Sequence, residues 1–546
     1  MLKRLYIFCL AVLFPILCAK ADSTFVESGF QYKVICKDSV NIVAWNDGYP
    51  FKDAVLNIPA KIRHNGKTYY VRGIGNSAFA RCSSIRQVDI SNGIEEICDS
   101  AFCACTDMEA IHIPASVRVI GEYVFSYCIA LSSIYVDDGN RIFDSRDRCN
   151  AIILTRSNGL VYGCKGTKIP SSVECIRGAA YDGCLVDSVI IPEGIKNICK
   201  YAFYRCPDLT KIHISSTVEM VDGEAFYYCP NVTSITVDER NGVYDSRENC
   251  NAIIEGGCLV RGCCTTVIPS GVDVIGESAF QYCINLHSIT IPEGVATVSA
   301  DAFWRCHSLK RVILPCTLTC FEKGGQFGDC TSLDSIYIPD GVKELGNGMF
   351  SGCVSLHSIV VDPKNRYYDS RNNCNAIIRT SNGALLAGCN GTVIPDGVRY
   401  IDAFAFEGSG ITSIDIPASV AGIDSTAFRY SERCVAITVA KDNTVYKSDG
   451  SNSIVERRTG RLVLGCATTR FLPEVTAIGS YAFVNTPEVL VLPDGICDIG
   501  RYAFAGCRKL STVIIPHGVK HIARDAFVGC DGLHHRIIRG NDVLVD

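Results

Sequence analysis

The sequence is poor in several residue types and patterns that would point to a function. Of its 546 residues, 4 are methionine, 2 are tryptophan and 10 are histidine. After the N-terminal segment, no apolar run reaches the roughly 18 residues that a membrane-spanning helix needs. The 52 basic side chains nearly balance the 57 acidic ones, so no overall field favours nucleic acid or an anionic membrane as a partner.

Recognisable catalytic motifs are also missing. The sequence has no His-Glu-x-x-His, no phosphate-binding glycine loop and no Gly-x-Ser-x-Gly elbow. The nearest approach to a zinc site is the group Cys258, Cys263 and Cys264, but no histidine lies near it in the sequence. We therefore expect a protein that is not an enzyme and that holds no cofactor and no metal.

The N-terminal segment has the order of a secretory signal. A basic start is followed by an apolar run from Leu5 to Cys18 and then by Ala-Lys-Ala, which ends at residue 21. This order predicts a signal peptide over residues 1–21 and a secreted or surface-exposed mature chain. A lipid anchor at Cys18 is the alternative, and it is disfavoured because Leu17 stands where a small residue is wanted.

What the sequence does contain is repetition, marked by the dipeptide Ala-Phe or a near variant. The spacing between successive markers is 21 to 24 residues, with four longer gaps of 54 to 56. The fifteen marker aromatics are Phe79, Phe102, Phe125, Tyr181, Phe203, Phe226, Phe280, Phe303, Phe327, Phe350, Phe406, Phe428, Phe483, Phe504 and Phe527. A period of about 23 residues indicates a stacked-repeat architecture rather than several separate domains.

One regular unit spans residues 272–292. In it, Ile289-Thr290-Ile291 alternates apolar and polar side chains as a strand does, and Pro292 ends the run. A single unit cannot bury Phe280 and its other apolar side chains, whereas stacked units cover one another. We predict a β-rich solenoid of about fifteen coils, joined by short turns or single helical turns. Its predicted bounds are 71–530, after an N-terminal β cap (22–70) and before a short C-terminal end (531–546).

Twelve of the units place a cysteine three residues after the marker aromatic, which accounts for much of the total of 32. The other three units have Ser409, Ser431 and Thr486 there. A position that accepts Cys, Ser or Thr favours a small, weakly polar group that donates locally. We therefore predict a ladder of buried free thiols at Cys82, Cys105, Cys128, Cys184, Cys206, Cys229, Cys283, Cys306, Cys330, Cys353, Cys507 and Cys530.

The four long gaps hold similar inserts. Three contain Asp-Ser-Arg followed by Cys-Asn-Ala-Ile-Ile, and all four end in Gly-Cys. In two of them Ser-Asn-Gly, at 157–159 and 381–383, lies between apolar runs, which is typical of a β-hairpin. We predict four enlarged coils, each carrying a β-hairpin.

The insert cysteines leave two interpretations open. The pairs Cys149/Cys164, Cys250/Cys263 and Cys374/Cys389 would bridge the hairpins as disulfides if the chain is exported into an oxidising compartment. The fourth insert, however, keeps its second cysteine and has a serine in place of the first, which a required bridge would not tolerate.

The units resemble the BspA-like class of leucine-rich repeats found in bacterial surface proteins. The resemblance rests on the recurring Ile-Pro, Val-x-x-Ile-Gly, Ala-Phe-x-x-Cys and Leu-x-x-Ile blocks and extends over about residues 30–530. It implies a leucine-rich-repeat-like solenoid that is secreted or surface-exposed, and some family members are adhesins. It implies no catalytic residues, because the family shares none.

One surface stands out among the repeats. The two positions after the marker aromatic hold large side chains in the middle coils and small ones such as Gly328 and Ser351 elsewhere. Tyr, Trp and Arg are enriched at binding hot spots, so we predict a ligand-binding stripe centred on Trp304. Its residues are Tyr127, Tyr204, Arg205, Tyr227, Tyr228, Tyr282, Trp304 and Arg305. The structural alternative is that these side chains pad an edge against the inserts.

Two functions remain open at this level. The first is adhesin-type recognition of a host matrix protein, a glycan or another bacterial surface through an extended solenoid face. The second is a passive spacer of the cell envelope that has no specific ligand.

Overall fold

The computed structural model describes residues 24–45, 54–533, 535–538 and 544–545. The predicted signal peptide and Cys18 lie outside the described residues. The chain divides into two compact units, Met1–Ser145 and Arg146–Asp546. Short 3-10 turns lie at Arg146–Arg148, Arg247–Asn249 and Arg371–Asn373, and no α-helix occurs in the described residues.

The first unit contains a sheet of N-terminal strands that continues into the first coils. The strands of this unit are β1 (Thr24–Glu27), β2 (Phe30–Cys36), β3 (Ser39–Trp45), β4 (Val55–Ile58), β5 (Lys61–His64), β6 (Lys67–Ile74), β7 (Gln87–Ile90), β8 (Glu96–Ile97), β9 (Ala110–Ile113), β10 (Val119–Ile120), β11 (Ser133–Val136) and β12 (Phe143–Asp144). The sheet has the order β1-β2-β3-β6-β8-β10, in which the first pairs are antiparallel and the later ones parallel, and β4, β7, β9 and β11 form a second, parallel sheet.

In the second unit, most regular coils contribute one strand to a long-strand row and one to a short-strand row. Neighbouring strands of a row pair in parallel within each stretch of regular coils, and both rows divide into separate sheets at the inserts. The long-strand row consists of β16 (Ser188–Ile190), β18 (Lys211–Ile214), β20 (Ser234–Val237), β25 (Ser288–Thr290), β27 (Arg311–Ile313), β29 (Ser335–Ile338), β30 (Ser358–Val361), β35 (Ser413–Ile416), β37 (Ala436–Val439), β42 (Val489–Val491), β44 (Thr512–Ile515) and β46 (His535–Ile538).

The short-strand row comes from the Val-x-x-Ile-Gly blocks. Its strands are β15 (Cys175–Ile176), β17 (Asn197–Ile198), β19 (Met220–Val221), β24 (Val274–Ile275), β26 (Thr297–Val298), β28 (Cys320–Phe321), β34 (Tyr400–Ile401), β36 (Gly422–Ile423), β41 (Ala477–Ile478), β43 (Asp498–Ile499), β45 (His521–Ile522) and β47 (Leu544–Val545). In the long strands the predicted alternation is confirmed, since Ile289 is buried between exposed Ser288 and Thr290. The predicted β-solenoid of stacked coils of about 23 residues is thus confirmed.

Each insert forms the predicted hairpin. The hairpin strands pair antiparallel, and the second of each pair joins the short-strand row in parallel. The hairpin strands are β13 (Ala151–Leu154) and β14 (Gly159–Gly163), β22 (Ala252–Glu255) and β23 (Cys258–Gly262), β32 (Ala376–Arg379) and β33 (Ala384–Gly388), and β39 (Ser453–Glu456) and β40 (Arg461–Gly465). In the last three inserts a two-residue strand, β21 (Tyr244–Asp245), β31 (Tyr368–Asp369) or β38 (Tyr446–Lys447), pairs antiparallel with the first hairpin strand.

The glycine of each insert's Gly-Cys pair is explained by packing. A Cβ atom on Gly262 would lie 2.3 Å from Cε1 of Phe280, the next marker aromatic, and Gly388 stands in the same relation to Phe406 at 2.2 Å. The glycine N–H also donates to the next coil, from Gly262 to the carbonyl of Ala279 at 2.9 Å. The hairpin therefore takes the place of a coil in the stack.

Within each run of regular coils the marker aromatics stack directly behind one another in the core. Phe303 is fully buried, with its ring centroid 5.0 Å from that of Phe280 and 5.4 Å from that of Phe327, at interplanar angles of 8°. Such contacts add to the hydrophobic stabilisation of each ring. No unit could form this column alone, in agreement with the stacking argument from sequence.

The thiol ladder lies beside the aromatic column. The Cys306 sulfur donates to the carbonyl of Phe280 at 3.1 Å, and Cys229 donates to that of Phe203 at 3.0 Å. Ser431 makes the same bond to Phe406 at 2.5 Å, which explains why serine replaces cysteine there. Eleven ladder thiols are buried and Cys82 is half-buried, and no disulfide is formed among the described cysteines, those of the inserts included.

Candidate functional site

The predicted stripe lies on the turn that follows each marker aromatic. In the Phe280 turn, alternate N–H groups bond to different partners. Those of Phe280 and Tyr282 donate to the next coil, at the carbonyls of Ala302 (2.7 Å) and Trp304 (2.9 Å). Those of Gln281 and Cys283 donate within their own turn. The position two residues after the marker is therefore held by backbone bonds, whatever its side chain.

That position lies in the left-handed region of the backbone map, where glycine is favoured. Five coils do place glycine there, and its φ ranges from 59° to 77°. They are Gly183, Gly352, Gly408, Gly506 and Gly529. Five coils of the second unit instead place a large residue there at similar φ, namely Arg205 (54°), Tyr228 (63°), Tyr282 (60°), Arg305 (60°) and Tyr430 (59°), and Asp329 has a φ of 56°. A side chain in this conformation costs about 1 kcal/mol or more, so these residues add strain that glycine would avoid.

Aromatic side chains that flank the markers Phe203 to Phe303 gather into one cluster in the second unit. We call this cluster the aromatic edge, and it consists of Tyr201, Tyr204, Tyr227, Tyr228, Tyr282 and Trp304. Their rings form an unbroken chain of contacts across four coils. The ring centroids of Tyr204 and Tyr227 lie 5.5 Å apart, those of Tyr227 and Tyr282 5.2 Å, and those of Tyr282 and Trp304 5.2 Å. Tyr228 and Tyr282 approach to 4.1 Å. The contacts of Tyr282 with Tyr227 and with Trp304 are edge-to-face, which is a favourable aromatic geometry.

Both predicted arginines lie on these rings. The Arg205 guanidinium is 4.0 Å from the Tyr204 centroid, and the Arg305 guanidinium is 4.2 Å from that of Trp304, within the range of cation–π attraction. Arg305 also donates to Asp329 at 3.1 Å and to the Tyr282 hydroxyl. The arginines are therefore fixed in place rather than extended into solvent.

Exposure differs among the predicted residues. Tyr228 is 41% exposed, whereas Tyr282 is only 6% exposed and supports its neighbours from beneath. Tyr204, Tyr227, Trp304 and both arginines are half-buried. Burial among other tyrosines raises the pKa of Tyr227, so its hydroxyl stays protonated and able to donate. The remaining predicted residue, Tyr127, is exposed in the first unit and has the same positive φ.

Beneath the edge lies a buried arginine that the sequence analysis did not single out. Arg261, in the second insert, is 3% exposed and donates to the carbonyls of Phe226 and Gln281, both at 3.3 Å. It thereby links the turn that carries Tyr227 and Tyr228 to the turn that carries Tyr282. The other inserts have Tyr162, Ala387 and Leu464 at this position.

Tyr201 was also missed, because it precedes the marker aromatic by two residues instead of following it. Its ring lies 5.2 Å from that of Tyr204 and 5.5 Å from that of Tyr227. A second, smaller group occurs further along the chain, where the Arg429 guanidinium lies 5.0 Å from the Tyr430 centroid and 5.5 Å from that of Tyr481. A search for Tyr on both sides of the marker would have found all of these tyrosines.

The described residues offer no other chemistry of this density. Among them, no group of three or more His, Cys, Asp or Glu side chains is arranged to hold a metal ion. The same residues include no helix of the length and apolarity that crossing a membrane requires. What the aromatic edge presents is a partly exposed surface of rings, hydroxyls and guanidinium groups, which suits non-covalent recognition.

Comparison with known proteins bears on the repeat as a whole. A family model described as BspA type leucine-rich repeat region, with six copies, matches residues 66–149, 161–250, 262–376, 387–450 and 467–543. No curated protein sequence matches significantly.

Several solved structures are similar along most of the chain. One is a leucine-rich cell surface protein of Faecalibacterium prausnitzii, with 20% identity, 96% coverage of each chain and a TM-score of 0.33. Another is the pneumococcal vaccine antigen PcpA, with 16% identity, 78% coverage of this chain, 95% of that chain and a TM-score of 0.35. A leucine-rich repeat protein of Bacteroides ovatus has 18% identity, with coverage of 95% and 90% and a TM-score of 0.25.

Proposed function

Because this chain belongs to the BspA-type leucine-rich repeat family, we propose that it is a non-enzymatic secreted or cell-surface protein that binds an extracellular protein through the aromatic edge. Stacked repeats present extended surfaces suited to protein recognition. The export step rests on the sequence of residues 1–21.

The gathering of large side chains at the edge is the observation that carries this proposal. Arg205, Tyr228, Tyr282 and Arg305 occupy a turn position at which five other coils have glycine at similar φ, and Tyr430 shows that a large residue there is not confined to the edge. The backbone bonds between coils form with either kind of residue, as the N–H of Gly506 shows by donating to the carbonyl of Val528 at 2.9 Å. The fold therefore does not require these side chains, and a cluster of Tyr, Trp and Arg that the fold does not require has the composition of a protein-binding hot spot.

The edge suits a protein partner better than a glycan. Its rings pack edge-to-face and under guanidinium groups, with Tyr282 almost wholly buried, so they do not form a row of open, flat faces on which sugar rings would stack. Clustered Tyr, Trp and Arg around a desolvated centre is instead the composition of protein hot spots. A glycan ligand is kept as an outcome of the test.

The test begins with the purified chain and a panel of immobilised matrix proteins, glycans and bacterial surface preparations, with salt varied. The triple variant Tyr204→Ala, Tyr227→Ala, Trp304→Ala should weaken binding at least about a hundredfold, because each hot-spot truncation costs about 2 kcal/mol or more. Tyr337→Ala is the matched control, since Tyr337 is 49% exposed on the long-strand row and away from the edge.

Each outcome decides between readings. Loss of binding in the triple variant alone, with its unfolding curve intact, supports the edge as the protein-binding site. Loss with Tyr337→Ala alone would place recognition on the strand face and contradict the edge. Binding only to glycans would overturn the protein partner. Folded protein that binds nothing on the panel would favour the spacer function.

A further inference from the structure

Besides the ladder and the insert cysteines, a third set lies along the short-strand row. Two of its members are neighbours. Cys175 begins β15, Cys199 directly follows β17, and these two strands pair in parallel with Cys175 opposite Asn197. The N–H of Cys199 donates to the carbonyl of Ile176 at 3.0 Å, and the two sulfur atoms lie 3.5 Å apart. The backbone thus holds two thiols of adjacent coils in contact.

These thiols differ from the ladder thiols in access. Both are half-buried, whereas ladder members such as Cys206 and Cys306 are fully buried and donate to backbone carbonyls. Burial raises the pKa of the ladder thiols Cys283 and Cys306, to about 12 for Cys283, and a thiol is inert to exchange until it ionises. These two thiols are therefore shielded both by burial and by a raised pKa, whereas Cys199 is half-buried and its pKa is lowered.

The pair also differs from the insert cysteines. Cys149 and Cys164 are buried, and their sulfurs bond to separate backbone carbonyls, those of Ala151 and Asn150. These bonds do not join the two sulfurs to each other, whereas the sulfurs of Cys175 and Cys199 lie in direct contact at 3.5 Å.

The surroundings favour ionisation at one member of the pair. The Cys175 thiol beside it and the nearby Arg177 guanidinium lower the pKa of Cys199 to about 7, against the opposing effects of burial and of Asp222. The pKa of Cys175 is raised instead, because its thiol is hydrogen-bonded to Cys199. A partly exposed thiolate next to a second thiol is the arrangement of a reactive dithiol.

We infer that Cys175 and Cys199 form a disulfide between adjacent coils when the folded protein meets a low-molecular-weight disulfide. The Cys199 thiolate attacks one sulfur of glutathione disulfide and releases one glutathione thiolate, which leaves a mixed disulfide. Cys175 then gives up its proton and attacks the Cys199 sulfur, releasing the second glutathione. Two protein thiols are oxidised, one glutathione disulfide is reduced to two glutathiones, and the two thiol protons pass to the leaving groups.

The purified full chain, reduced and then freed of reductant, is incubated with glutathione disulfide, quenched in acid, alkylated and digested with trypsin without reduction. Cleavage at Lys and Arg isolates Cys175 in peptide 169–177 and Cys199 in peptide 197–200. We expect these two peptides to appear linked, and to separate on reduction, in most of the molecules. The same treatment in denaturant should lose this selectivity, because other thiols then become accessible.

Variants decide the assignment. Cys175→Ser should trap Cys199 as the glutathione adduct, and Cys199→Ser should abolish the link. Cys258→Ser is the matched control, since Cys258 is half-buried and begins β23 as Cys175 begins β15, and it should leave the link unchanged. If the folded wild type gives peptides 169–177 and 197–200 alkylated, or only the stable adduct on Cys199, the inference is wrong.

Discussion

The turns at Phe203 to Phe303 and those at Phe327 and Phe350 share one backbone but present different surfaces. In the first group the two positions after the marker hold Tyr, Trp or Arg, with Gln281 as the one exception, whereas in the second they hold Gly328, Asp329, Ser351 and Gly352. The inward positions are alike in both groups, with a stacked phenylalanine and a buried cysteine. The comparison separates the inward side chains, which the solenoid core requires, from the side chains after the marker, which it does not.

The boundary between the two kinds of turn is itself packed. The Trp304 ring leans onto the next coil, where a Cβ atom on Gly328 would lie 2.6 Å from its Cδ1 atom. The small residue at the start of the plain turns thus accommodates the last ring of the aromatic edge. Small side chains there have a positive role in placing Trp304.

The largest expected effect concerns the shared interior. Phe303→Ala, beneath the aromatic edge, and Phe327→Ala, beneath a plain turn, each remove a fully buried ring with stacked neighbours on both sides. Each should lower the free energy of unfolding of the surrounding coils by about 3–5 kcal/mol, measured by chemical denaturation. A cost at Phe303 much larger than at Phe327 would mean that the aromatic edge stabilises the fold, contrary to the comparison.

A smaller loss of stability is expected from a substitution in the second insert, next to the aromatic edge. Gly262→Ala would place a Cβ atom 2.3 Å from the Phe280 ring, and the overpacking should cost about 1–3 kcal/mol in the same measurement. Gly242→Ala is the matched control, because a Cβ there meets nothing within 4 Å. Equal stability of the two variants would show that the insert does not replace a coil in the stack.

The smallest effect is expected from converting the aromatic edge into a plain turn. Tyr228→Gly loses the ring contact with Tyr282 but relieves a φ of 63°, so its free energy of unfolding should stay within about 1 kcal/mol of the wild type. Tyr228→Ala loses the same contact without relief and should be the less stable of the two. A more stable alanine variant would refute the backbone strain assigned to Tyr228.

The fold could be predicted from the sequence because the residues that recur in every repeat are the ones that the core requires. The marker aromatic, the small polar group three residues later and the alternating strand each have one buried role, and each was predicted. The hairpins followed from turn chemistry at 157–159 and 381–383. The insert glycines were noted as recurrent, but their reason, the ring of the next coil, appears only when coils are stacked.

The candidate site was predicted less completely. Tyr201 was missed because the position two residues before the marker varies among the coils, from Ser and Gly to Asp, Glu and Tyr, and shows no repeat pattern. Arg261 was missed because an arginine in a hairpin strand suggests a solvent-facing side chain. The contact of Cys175 with Cys199 did have a sequence signal, since their separation of 24 residues is close to one coil. The hairpin distances of 13 to 15 residues drew attention instead.

The backbone bonding at the turns has an evolutionary consequence. Coil joins coil through N–H and carbonyl groups that every residue type except proline supplies, such as the bonds from Phe280 to Ala302 and from Tyr282 to Trp304. A coil can therefore be duplicated, deleted or exchanged by recombination together with its outward side chains, and the junction it leaves is the same. A lineage of such proteins can change what it recognises by exchanging coils of one length, because the exchanged coils keep the same fold.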